Sequence, residues 1–312
     1  MRVVLARLAG MLATLGVASM VIYLILAVLP GDPAAFLASR ASTRASPETL
    51  ALIREQLGLD QPLPLRYLHW LANALHGDFG RSWLTGASVM DLMGQRIGAT
   101  ALLGVFLFLS GCLLTFVLGG LAALKPRGVA DRLLSAQALI GTALPGFVLG
   151  LIAIRIFANG LGWASVIGDG TPRTVLPPAA VGGLGLASYW GRPFSSLVGA
   201  ALASDWALAA RARGIGETRL LWRHAIPNAL VGFLPFLGIG LAGALTGTIM
   251  IENVFSWPGL GAFIVDAIKR RDLPVVQAFA MLAVTFYIAT TAAADLMFWL
   301  LSPRADQGGA QS

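Results

Sequence analysis

Between Ala207 and Leu230 the chain reads ALAARARGIGETRLLWRHAIPNAL, a polar stretch set between long apolar runs. It carries Arg211, Arg213, Arg219, Arg223 and His224, offset only by Glu217. Gly214 and Gly216 split it into two short helical halves, and Gly214 is expected to end the first in a turn that needs positive φ. Guanidinium groups held this way suit recognition of a soluble partner. Two further charges sit inside apolar runs, Arg155 and Asp295, and intramembrane charges are functional candidates by default. Arg155 either lines a path across the membrane or, as favoured here, snorkels to the nearer surface. Asp295 is expected to be structural, paired with a basic residue on the inner side, with Arg192 as the first candidate and a proton relay as the alternative.

Bond-making chemistry is not expected. No serine or cysteine has a histidine and a carboxylate at recognisable spacing. Cys112 is alone, and His69, His76 and His224 lack ligand spacing, so neither a disulfide nor a metal site is expected. A Gly-x-Gly-x-x-Gly match at Gly238, Gly240 and Gly243 lies in an apolar run with no preceding strand, which removes the dinucleotide reading. Only Lys125 and Lys269 are lysines, and neither belongs to a phosphate-binding loop. No cofactor is expected, and the chain is not an ATPase.

The elements that must carry these residues are membrane helices. The chain is 57% hydrophobic and 12% charged, with a mean hydropathy of +0.77. Soluble domains hold about 25% charged residues, and about 20 apolar residues cross a bilayer. Six runs qualify: Leu8–Leu29, Ala99–Leu124, Leu133–Trp163, Val175–Leu202, Ala229–Ile251 and Leu273–Leu301. The first is too long for a signal peptide. With the N-terminus inside, most Lys and Arg of the short loops fall inside, so both termini are expected in the cytoplasm. The net charge of +7 then reflects topology, and nucleic acid is not an expected partner. Gly146-x-x-x-Gly150 and Gly243-x-x-x-Gly247 suggest close helix approach.

Residues 30–98 form an outer insert. Leu29-Pro30-Gly31-Asp32-Pro33 reads as a helix stop and a turn. Ser46-Pro47-Glu48 reads as a helix start, with the helix running to about Leu57. Leu65 to Leu75 has the spacing of an amphipathic helix. Trp70, Phe79 and Trp83 either anchor at the headgroups or pack the insert on itself.

In order and spacing, several stretches together resemble the B-type permease of peptide/nickel ABC importers. They are Leu29–Pro33, Leu57-Gly-Leu-Asp-Gln-Pro62, Tyr67-x-x-Trp-Leu71 and Gly77-Asp-Phe-Gly-Arg-Ser82. With them go Ala210-Arg-Ala-Arg-Gly214, Trp222-Arg-His-Ala-Ile-Pro-Asn228, Ile251-Glu-Asn-Val-Phe-Ser-Trp-Pro-Gly-Leu-Gly261, Arg271–Gln277 and Ser302-Pro-Arg304. The resemblance implies an all-α integral membrane protein with six transmembrane helices of the type I ABC importer permease fold. It implies a first helix in 1–29, a small helical extracytoplasmic cap in 30–98, a permease domain in 99–301 and a cytoplasmic tail in 302–312.

Residues 203–228 would be the cytoplasmic coupling loop. Within it Ala210, Arg211, Arg213, Gly214, Glu217, Arg223 and Pro227 would meet the ATPase, while Leu208 and Ala209 depart from the family's polar start. Arg155 and Glu252 would lie on the translocation path. The implied partners are a homologous second permease, two cytoplasmic ATPase subunits, an extracytoplasmic solute-binding protein and membrane lipid. Peptides are the implied cargo, with nickel as the rival. The competing class is a secondary transporter or channel, which would show inverted repeats and paired buried charges. Neither is evident.

Overall fold

The computed structural model describes residues 2–28, 32–41, 46–160, 162 and 168–301, and these are helical with short connections. The expected stop at Leu29–Gly31, the end of the third run at Trp163 and the 302–312 tail lie outside them. The chain divides into two compact units, one of residues 1–95 and 264–285, the other of 96–263 and 286–312.

The first unit opens with α1 (Arg2–Val28), then α2 (Pro33–Ala41), α3 (Pro47–Gln56) and α4 (Leu63–Leu75). Asp32 and Pro33 begin a helix where a turn was expected. The Asp32 carboxylate accepts from the Ala34 amide at 3.0 Å, and a proline at the first helical position loses no bond. Ser46 caps α3 as expected, accepting from Thr49 N at 3.2 Å. After α4 the Gly77–Ser88 loop is pinned by Asp272, which accepts from Ser82 Oγ at 2.5 Å and Trp83 N at 3.0 Å. Next comes α5 (Val89–Leu114), which begins ten residues before the expected Ala99. Ser88 and Asp91 supply its missed start signal, with the Asp91 amide pointing at Ser88 Oγ, 3.5 Å away.

In the second unit α5 runs through a π-helical turn, Thr115–Gly119, into α6 (Gly120–Leu124). Then come α7 (Val129–Ala143), α8 (Gly146–Ala153) and α9 (Leu176–Leu202). After them stand α10 (Asp205–Ala212), α11 (Glu217–Leu220) and α12 (Ile226–Val254). The helix α13 (Leu260–Lys269) follows, and α14 (Leu273–Leu301) ends the described chain.

Among the described residues, four helical stretches are long and apolar enough to cross a membrane: Ala9–Val28, Val89–Leu124, Glu217–Leu241 and Leu273–Met297. A fifth is formed if α7 and the Gly146–Gly160 stretch are one broken span, bent by 111°. The third run, expected as a single helix, is therefore broken in two. Pro145 cannot donate, and it forces Leu144 into an extended conformation at φ −101°, ψ 129°.

The fourth expected run is α9, 27 residues long but less apolar than the others. Its position explains its composition: α9 is packed by α7, α8, α12 and the π-turn before α6. Small residues let those neighbours approach, and Ser110 Oγ donates to the Ala179 carbonyl at 2.8 Å. Of the Gly-x-x-x-Gly pairs, Gly150 sits where an added Cβ would lie 2.8 Å from Val254. Gly243 and Gly247 have no atom so placed within 4 Å.

Candidate coupling segment

The arginine-rich stretch folds as a rigid bracket on the end of the bundle. Ala207, Leu220, Leu221 and Ala225 are fully buried and form one core with Phe194, Val198 and Phe233 of α9 and α12. Their rings reinforce it: Phe194 and Phe233 meet edge-on at 5.0 Å, and Trp190 stands against Phe233 at 6.0 Å. Burial of this apolar side mounts the segment on two long helices.

The turn within the bracket is a helix stop built on Gly214. Arg213 caps α10, and Gly214 follows at φ +81°. Gly214 N bonds the Arg211 carbonyl at 2.9 Å and Ile215 N bonds the Ala210 carbonyl at 3.2 Å, the paired bonds of a Schellman stop. An added Cβ at Gly214 would meet nothing within 4 Å, so its requirement here is backbone conformation and not space.

Arg211 ties the two halves together. Its Nε and Nη2 reach the two Glu217 oxygens at 2.6 and 3.1 Å, and Nη1 donates to the Leu202 carbonyl at 2.9 Å. The Glu217 carboxylate holds the Arg211 guanidinium above its ordinary pKa. Arg211, expected to meet the ATPase, thus also closes the end of α9. Arg213, Arg219, Arg223 and Pro227 point outward, while Ala210 is half-buried. Beside them stand Trp206, Leu208 and Trp222, exposed by 38, 57 and 43%. Trp206 and Trp222 were missed as candidates, although an aromatic on a polar loop is the signal that could have marked them.

The other candidates lie apart from this bracket. Arg192 bonds Asp131 of α7 at 2.6 Å and also Ser135, so the carboxylate it holds is Asp131 where Asp295 was expected. Asp295 is exposed on α14. Arg155 is exposed in the π-helical stretch Ile154–Gly160. Glu252 is wholly buried at the end of α12. Its carboxylate accepts from Thr100 Oγ1 at 2.7 Å and Ala262 N at 3.0 Å, capping the start of α13. Trp257, also fully buried, donates from its indole to the Ala99 carbonyl at 2.9 Å. Among the described residues no cluster of side chains could hold a metal ion.

Residues 115–307 match the family described as binding-protein-dependent transport system inner membrane component, and residues 1–103 match its N-terminal family. The chain belongs to this family. The glutathione transport system permease protein GsiC of Salmonella typhimurium is 33% identical over 300 residues, covering 96% of this chain and 97% of the relative. GsiC of Escherichia coli (strain K12) is 32% identical over the same shares. An inward-facing structure of the MetNI methionine ABC transporter shares the fold, with a TM-score of 0.56 at 18% identity over 68% of this chain and 97% of that one.

Membership makes the chain a multi-pass permease subunit of an ABC importer of the peptide/nickel type. It is a transport subunit and not an enzyme. Permeases of this family work in the inner membrane with ATPase and binding-protein partners.

Proposed function

We propose that residues 203–228 are the cytoplasmic coupling loop, seated in a cleft of an ATPase subunit, and that both termini lie in the cytoplasm. The carrying observation is the outward face of the bracket. Trp206, Leu208 and Trp222 are exposed among Arg213, Arg219 and Arg223, while the opposite side is locked into α9 and α12. Exposed aromatics with arginine are the residues that dominate protein interfaces. Closure of an ATPase pair would move this bracket, and α9 and α12 with it, giving alternating access. A homologous second permease would complete the path, and a solute-binding protein would deliver cargo on the other face.

The cargo we propose is a small peptide of the glutathione class. The support is the likeness over nearly the whole chain to permeases named for glutathione transport.

Two experiments test the reading. Ser46→Cys should react with an impermeant thiol reagent on intact cells, and Thr218→Cys only after lysis; the reverse pattern inverts the topology. The assembled transporter in proteoliposomes should then show ATP-dependent uptake of labelled glutathione or dipeptide. Uptake of nickel without peptide uptake overturns the cargo assignment.

A further inference from the structure

The helix α4 has three distinct sides. Arg66, Tyr67, Trp70, Leu71 and Ala74 are its half-buried residues, with Arg66 bonded to the Tyr23 hydroxyl of α1. Tyr67 and Trp70 pack on Tyr23 of α1 at ring distances of 5.5 and 5.6 Å, and the Tyr67 hydroxyl bonds Ser19 Oγ at 2.9 Å. A second side is apolar and bare. At 100° per residue, Leu65, Leu68, Ala72 and Leu75 fall within about 80° of one another. Leu68 and Leu75 are exposed by 57 and 78%. A third side carries His69, Asn73 and His76, all exposed.

The register of α1 sets the depth of this helix. The apolar span Ala9–Val28 has 20 residues, which is about 30 Å of helix. That equals the hydrocarbon thickness of roughly 30 Å, so the span has no length to spare outside the membrane. Tyr23 then lies about 8 Å, and Ser19 about 14 Å, below the end at Val28. A helix whose tyrosine reaches Ser19 and whose tryptophan packs on Tyr23 cannot stand clear of the bilayer.

We infer that α4 is an interfacial helix immersed in the leaflet where α1 ends, with the Leu65, Leu68 and Leu75 side against lipid acyl chains. On α1 the apolar residues Met20, Leu24 and Ile25 are likewise exposed, as side chains facing lipid would be. The His69, Asn73 and His76 side turns to the headgroups and water, the arrangement of a helix lying in the membrane plane. Trp70 and the tyrosines then sit where amphipathic rings gather. This placement holds whichever leaflet is the outer one.

The test is spin-label accessibility in the assembled transporter in nanodiscs, on a Cys112→Ala background. Leu68→Cys and Leu75→Cys are compared with His69→Cys and Asn73→Cys, each checked for the parent's gel-filtration profile. Oxygen collects in lipid and a nickel chelate stays in water. The expected result is a shift toward oxygen at both leucine positions and toward the chelate at His69 and Asn73. Chelate access at the leucine positions equal to that at His69 would make α4 part of a soluble cap and overturn the inference. Exclusion of both reagents there would mean a protein partner covers that side, and would overturn it equally.

Discussion

Arg211 and Glu217 face each other across the Gly214 turn through two near-parallel bonds of 2.6 and 3.1 Å. The pair joins residues on opposite sides of the break, and the third Arg211 bond, to Leu202, fixes both to the end of α9. The bracket is therefore one body and not two hinged halves.

Removing this clamp should loosen transmission more than it unfolds the protein. Solvent screens exposed ion pairs, so Glu217→Gln should barely shift the melting temperature. Arg211→Ala should do more, since the Leu202 carbonyl also loses its donor. Both should lower substrate-stimulated ATPase activity in the assembled transporter while basal ATPase persists. The exchange Arg211→Glu with Glu217→Arg should recover part of the coupling, but not the part due to Leu202. Full coupling in Arg211→Ala would remove the clamp from the mechanism.

Gly214 is held at φ +81°, where an L-residue is strained by about 1–2 kcal/mol. With no intrachain atom in the way, the ranking of substitutions should follow backbone preference: Asn tolerated best, Ala less, Val least. Thermal melting of the three variants checks the order. A ranking by side-chain size alone, with Ala above Asn, would show that a partner's surface sets the constraint.

The membrane class and the bracket were legible because each rests on local pattern. Apolar runs of span length announce helices whatever they pack against. Gly214 and Gly216 in a basic stretch announce a turn between two halves. What packing decides was not legible. The break at Leu144-Pro145 hides inside an apolar run, because hydropathy does not register a missing donor. Arg192 was the first partner expected for Asp295, yet Asp131, two residues before the expected start of the third run, holds the guanidinium. Glu252, implied by the resemblance to lie on the translocation path, is held by Thr100, some 150 positions earlier in the chain, and no local pattern announces that contact.

The Asp131–Arg192 pair links α7 to α9, and Asp131 also accepts from the Arg127 amide at 2.8 Å. Asp131→Asn should lower the melting temperature only slightly, because solvent screens an exposed pair of this kind. The exchange Asp131→Arg with Arg192→Asp should restore part of the loss. If only a swap between Asp295 and Arg192 gives rescue, the pairing assigned here is wrong.

Asp169 lies in the loop before α9 and collects donors. Thr174 Oγ1 at 2.5 Å, Thr171 Oγ1 at 2.7 Å and Thr171 N at 2.9 Å hold its pKa down to about 2 from 3.8. A carboxylate with a depressed folded pKa stabilises the fold above its unfolded value, and that contribution fades as pH falls through the folded one. Carbonyl-labelled protein should therefore show Asp169 ionised at pH 4 and titrating near 2. Thr174→Val should move the midpoint upward. A midpoint that stays near 2 in Thr174→Val would deny the hydroxyl its role.

Gly259 and Glu252 make the tightest constraint in the loop that joins α12 to α13. A Cβ at Gly259 would lie 2.4 Å from the Glu252 carboxyl carbon, and that carboxylate cannot step aside without leaving Thr100 and Ala262. Overpacking of this kind costs about 1–3 kcal/mol. Gly259→Ala should therefore lower the melting temperature and the yield of folded protein. Glu252→Gln should cost a similar amount for a different reason, because an amide turned toward backbone N–H groups opposes donor to donor. The double variant Gly259→Ala with Glu252→Ala separates the two effects. It relieves the clash but strands the Thr100 hydroxyl and the Ala262 amide, so it should be no more stable than Gly259→Ala alone. Recovery to the parent's melting temperature would mean that the buried carboxylate contributes nothing to this turn, and that Glu252 is free to serve the translocation path instead.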